Sequence, residues 1–130
     1  MHLLGAVSYE ELPSYFTGFD CGMIPYLIND FTNYTFPSKM AEYLAAGLPV
    51  VSTPLPELAR YSDVVSIVRS PQEMISTIRD HLSDPNKDSS KQKRIDVACT
   101  LSWESIVSQM EALLEQAVNR GVQLYPSTNK

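Results

Sequence analysis

PSKMAEYLAAGLPVVST, residues Pro37–Thr53, holds a short helix, a glycine stop and a buried strand in one unbroken run. Pro37 presets the backbone for a first helical turn, where its missing N–H costs nothing. Helix formers follow, and Gly47 supplies the left-handed stop. Met40, Tyr43 and Leu44 recur at the spacing of one apolar face, with Ser38, Lys39 and Glu42 on the other side near the helix start. A helix start with free N–H groups and a lysine suits a phosphate, and a carboxylate about one turn further in suits a sugar hydroxyl. The same residues also read as an ordinary dipole-stabilised glutamate in an i,i+3 pair with Lys39. Spacing alone leaves both readings open.

Working outward, Leu3–Val7 is a short apolar run read as a strand. Ser8 with Glu11 three residues on forms a capping box. Pro13 would interrupt a continuous helix, so the reading is a single turn through Glu11 and then a helix proper to Thr17, with Leu12, Tyr15 and Phe16 inward. Cys21–Tyr26 is a nearly continuous apolar run, typical of a parallel strand covered on both faces. The loop Leu27–Phe36 is rich in Asn, Asp and Thr and leads into the Pro37 helix. In open α/β sheets ligands sit where a parallel strand ends and a helix begins.

Downstream, the prolines at 54 and 56 force an extended turn, and Glu57–Tyr61 has room for one or two helical turns. Val64–Val68 is a further strand. Ser70-Pro71-Gln72-Glu73 caps a helix whose stripe is Met74, Ile75, Ile78 and Leu82. Asp84–Lys91 reads as a linker, Ile95–Thr100 as helical, and Ser102 to about Arg120 as a long amphipathic helix with Trp103 as a core anchor. Gly121 is the expected stop. The β-α-β-α-β-(α)-β-α-α alternation predicts an α/β domain, a parallel sheet of about four strands with helices on both faces. On this reading residues 1–121 are one domain, the long helix covers about 102–120, and 122–130 form a flexible tail.

Composition narrows the function. With 130 residues the chain has room for one domain, and 44% apolar against 19% charged residues marks it as globular. A net charge of −5 excludes a nucleic-acid footprint. No apolar run approaches the roughly 20 residues of a membrane span. Cys21 and Cys99 read as small apolar fillers in a reducing compartment, and His2 and His81 have no partner at metal-ligand spacing, so no metal is expected.

Three pieces, in order, resemble a known family. They are Ser8–Tyr15 (SYEELPSY) ahead of the Cys21 strand; Pro37, Lys39, Glu42, Tyr43, Leu44, Ala45, Ala46, Gly47, Pro49, Val50 and Val51 in the central run; and Ser102-Trp103-Glu104. Together they are similar to the second half of the C-terminal, donor-binding domain of GT-B glycosyltransferases of the group 1, GT4-like family, a partial Rossmann-like domain. The resemblance implies a nucleotide-sugar substrate, transfer of a hexose-type sugar to a saccharide or lipid-linked acceptor in polysaccharide biosynthesis, no cofactor, no metal, and a cytoplasmic, at most peripherally membrane-bound location. It gives Glu42 the ribose hydroxyls and sets backbone N–H groups around Phe36, Pro37 and Ser38 toward the diphosphate, with Lys39 offsetting its charge. Thr35, Asn33 and Tyr34 complete the expected donor-binding set.

The departures are specific. Many relatives carry two glutamates eight apart, yet the position eight before Glu42 is Tyr34, leaving Asn33 or Asp30 to reach the sugar. Two strands of the family domain, with the arginine and lysine that face the pyrophosphate, have no counterpart, and the acceptor domain is absent. The chain is thus not expected to turn over alone. The alternative reading is a non-catalytic scaffold module whose sheet is completed by a second polypeptide or by self-association, with the Leu3–Val7 strand pairing beside Cys21–Tyr26 or exchanging between copies. A flavodoxin-like receiver is disfavoured by the lack of an acidic cluster and phosphoacceptor aspartate. No Gly-rich phosphate loop or nucleophile elbow is present.

Overall fold

The computed structural model describes residues 5–83 and 89–124. It divides into two compact units, Met1–Ala98 and Cys99–Lys130. The first is an α/β unit built on a parallel three-stranded sheet flanked by helices, ordered β1 (Gly22–Ile24), β2 (Val50–Ser52), β3 (Val65–Ile67). The register aligns Gly22 with Val50 and Val50 with Val65. Residues 3 and 4 of the expected Leu3–Val7 strand lie outside the described residues, and Gly5–Val7 are not in a strand; Gly5 has φ +78°. Among the described residues the sheet therefore has three strands instead of about four, and the outer side of β1 is unpaired.

The Ser8 segment folds in the two pieces that Pro13 demands. A 3-10 turn, Tyr9–Glu11, runs into α1 (Leu12–Phe16), with Pro13 in the first turn where no N–H is required. Helix α2 (Ser38–Ala45) uses Pro37 as its N-cap and so starts one residue later than read, and it buries Met40 and Leu44 completely. Leu48, Val50, Val51, Leu55, Leu58 and Val65 join them in the core. Tyr43 is only half-buried, but its ring lies flat against β1: a Cβ on Gly22 would come within 2.4 Å of Tyr43 Cδ2.

Helix α3 (Pro71–Ser83) starts as its cap predicts. The Glu73 N–H donates to Ser70 Oγ at 3.2 Å, and the Glu73 carboxylate accepts from the Arg69 N–H at 2.7 Å. Its stripe is another matter: Ile75 is 57% and Leu82 47% exposed, because three strands are too few to cover it. Helix α4 (Lys91–Thr100) begins where the linker was expected to end, and its Lys93 pairs with Asp63 at 3.0 Å. Arg94 is 4% exposed, and its Nε and Nη2 donate to the Gly47 carbonyl at 3.0 and 2.8 Å. Gly47 itself stands at φ +75°, a conformation that strains any other residue.

In the second unit Ser102 caps α5 (Trp103–Leu124), its Oγ accepting from the Ser105 N–H at 3.2 Å. The helix runs through Gly121 to Leu124, since an internal glycine costs only about 1 kcal/mol and no proline intervenes before Pro126. Residues 125–130, the rest of the segment read as a tail, lie outside the described residues. Trp103 is 78% exposed and no core anchor.

Two substitutions probe how α2 is held. Gly22→Ala is expected to destabilise the protein by about 1–3 kcal/mol through the Tyr43 ring, and Tyr43→Leu in the same chain to recover part of that loss. Arg94→Met should cost about 1.5–3 kcal/mol, the range for hydrogen bonds from a charged group. Urea unfolding followed by far-ultraviolet circular dichroism measures both.

Candidate functional site

The site takes shape around Glu42, in the second turn of α2. Its side chain is 25% exposed and forms one wall of a cavity of about 340 Å³ lined by Tyr9, Leu12, Pro13, Phe16, Thr17, Ala45 and Ala46. Glu42 Oε2 is shut off from solvent and has no hydrogen-bond partner among the described residues. Lys39 Nζ is 3.8 Å from it, close enough for Coulomb attraction but too far for a hydrogen bond. At 60% exposure the Lys39 end of that pair is well solvated, so the contact contributes little. The carboxylate is therefore desolvated on one side and short of donors.

The opposite wall owes its placement to sequence-local chemistry. Glu11 Oε2 accepts from the Ser8 N–H at 3.2 Å and the Ser8 hydroxyl at 2.8 Å, fixing the turn that delivers Tyr9 and Leu12. These two bonds, the hydroxyl's first, hold the Glu11 carboxyl below its ordinary value. Phe16 packs edge-on against Tyr43 at 5.6 Å between centroids, bringing α1 to α2. The half-buried Leu12 and Phe16 thus line a hollow where the sequence pattern had them facing a core.

The other residues singled out from sequence occupy a second place, at the carboxyl end of the sheet. Asn33 and Tyr34 lie on a 3-10 turn, Thr32–Tyr34, which is anchored by buried Thr32: its N–H donates to Asn29 Oδ1 at 2.9 Å and its hydroxyl to the Leu27 carbonyl at 2.6 Å. Tyr34 is 89% exposed. The Thr35 hydroxyl donates to the Phe31 carbonyl at 2.9 Å. Phe36 meets Tyr61 at 6.2 Å, and the Arg60 guanidinium lies 5.9 Å from the Phe36 ring centre and 5.1 Å from that of Tyr61. Pro37 is buried, while Ser38 and Lys39 are exposed. Of the predicted set, only Glu42 is among the residues lining the cavity. Arg60, which also pairs with Glu57 at 3.4 Å, escaped the sequence reading because only folding carries it from the turn after β2 to the residue preceding Pro37.

At this end of the sheet hydroxyls extend the ladder past the strands. The Ile24 carbonyl accepts from the Thr53 N–H at 3.2 Å and the Ser52 hydroxyl at 3.2 Å, and the Tyr26 carbonyl accepts from the Thr53 hydroxyl at 2.8 Å. Elsewhere in the unit, Cys21 is half-buried beside β1 and burial pushes its thiol up, whereas Cys99 is exposed, so neither is a buried apolar filler. Among the described residues no cluster of His, Cys, Asp or Glu is arranged to hold a metal, and no helix is long and apolar enough to cross a membrane.

With the parallel α/β unit and its carboxylate-walled cavity described, comparison with known proteins assigns the class. Residues 1–84 match the family model described as glycosyl transferases group 1. The chain belongs to that family. It is also similar to TuaH of Bacillus subtilis (strain 168), named as a glycosyltransferase of teichuronic acid biosynthesis, with 30% identity over 110 residues, 82% of this chain and 28% of the relative. The chain thus spans under a third of that relative's length. No solved structure matches it.

The Ser8–Glu11 wall gives a direct test. The Glu11 carboxyl should titrate below the ordinary glutamate value in a carbon-detected NMR series and move back toward it in Ser8→Ala. Because folding lowers this value, its contribution to stability is present above the unfolded value and is lost as pH falls through the folded one.

Proposed function

We propose that the α/β unit binds the nucleoside diphosphate of a sugar-nucleotide donor, as the donor-binding portion of a glycosyltransferase that passes a hexose-type sugar to a saccharide or lipid-linked acceptor. The observation that carries this reading is the Glu42 carboxylate, donor-poor and set in the wall of a largely apolar cavity. Two neighbouring ribose hydroxyls supply the O–H donors such a group lacks, and Tyr9, Leu12 and Phe16 offer apolar surface to a base. The cavity volume lies at the lower end of small-ligand sites.

From the ribose, the diphosphate extends along α2 toward its N-terminal end, where Ser38, Lys39 and the N–H groups following Pro37 favour negative charge. Arg60, beside Phe36, adds a cation at that end. In the intact transferase these groups stabilise the leaving diphosphate electrostatically and no metal is required. Because the chain covers 28% of its relative, turnover belongs to a larger assembly that supplies the acceptor side.

A second reading, a scaffold module completed by another polypeptide, is favoured by the outer edge of β1, which pairs with no strand among the described residues. The two readings are compatible if the partner brings the missing strands.

Calorimetry with UDP and GDP tests the first reading. Binding of at least one nucleotide is expected, weakened about tenfold or more by Glu42→Gln, which leaves the hydroxyls facing a neutral amide. EDTA should leave it unchanged. No binding of either nucleotide, or equal affinity in Glu42→Gln, removes Glu42 from the site.

A further inference from the structure

Two segments leave the carboxyl end of the sheet side by side. The loop after β1 carries the turn Thr32–Tyr34 and runs into α2. The segment after β2 forms a second 3-10 turn, Pro56–Tyr61, packed against the first and anchored by fully buried Leu58. In such a turn side chains three residues apart eclipse one another, which sets Glu57 beside Arg60 at 3.4 Å. The same guanidinium lies over the rings of Phe36 and Tyr61, so it is held next to Pro37, the N-cap of α2. Building on the donor reading above, we propose that Arg60 binds the donor phosphate distal to the ribose, and that Glu57 occupies the guanidinium until that phosphate displaces it.

Order along the chain assigns the phosphate. With the ribose at Glu42 and the diphosphate running toward Ser38, Arg60 lies past the helix start, so the second phosphate is the one that comes to it. Glu57 is a weak holder, because both side chains of the pair are exposed and such pairs contribute little. A phosphate presents several charged oxygens to the planar fork of an arginine and competes well with a single carboxylate. Contact with the two rings keeps the guanidinium in place when the carboxylate lets go. Once the exchange has happened, the Glu57 charge is left near the phosphate and opposes binding. Glu57 is thus a positioning residue that also sets a ceiling on affinity.

Calorimetry with UDP against UMP, and GDP against GMP, separates the distal phosphate from the rest of the ligand. Arg60→Met should weaken the diphosphate about tenfold and leave the monophosphate unchanged. Arg60→Lys should recover part of that loss, since an ammonium keeps the charge but not the fork. Glu57→Gln should tighten the diphosphate about threefold without affecting the monophosphate. Arg79→Met removes the same charge from an exposed position on α3 and should change neither ligand. Wild-type protein that binds no nucleotide overturns the donor reading and the Arg60 assignment together. Binding in which Arg60→Met weakens monophosphate and diphosphate equally, or neither, overturns the Arg60 assignment alone. A Glu57→Gln variant that binds the diphosphate no more tightly overturns the holding role of Glu57.

Discussion

The buried guanidinium of Arg94 on the Gly47 carbonyl is the constraint on which the α/β unit turns. Gly47 is where α2 ends and the chain reverses into β2, and its positive φ leaves the carbonyl pointing out of the helix with no backbone donor in reach. Two N–H groups of one planar side chain satisfy it, and a buried charge is made tolerable by the partners it meets. The tie fixes the far end of α2, while Tyr43 over Gly22 fixes its middle against β1. With both contacts in place, Glu42 has one position relative to α1, and the cavity follows from it.

Family membership and local geometry make separate statements. Membership says that this is a piece of group 1 glycosyltransferase architecture, and the geometry supplies the observations on which the donor proposal rests. The first of these is that Glu42 lacks a hydrogen-bond donor among the described residues, and the second is that Ser38 and Lys39 are exposed at the start of α2. The two lie at successive places along α2, so a ligand using both would lie along the helix instead of filling a single hole. The stretch between them is about what a diphosphate can span, since four helical residues rise roughly 6 Å.

Much of this was legible in the sequence where one local rule decided the outcome. Pro13 split the Ser8 segment into a turn and a helix, Ser70 and Glu73 capped α3, and β2 fell at Val50–Ser52 because an apolar run between Pro49 and Thr53 has little room for anything else. The failures share a cause. Periodicity shows which residues of a helix are alike, not whether anything covers them, so Ile75, Leu82 and Trp103 were read as buried and are exposed. Arg94 was unremarkable in a polar stretch and became central only through a contact 47 residues away in sequence. The cavity was hidden for the same reason, since α1 and α2 are neighbours in space alone.

The hydroxyls of Ser52 and Thr53 have one more consequence. By donating to the carbonyls of Ile24 and Tyr26 they carry the pairing of β1 with β2 past its last backbone rung, so the two segments that leave the sheet there start out tied to one another.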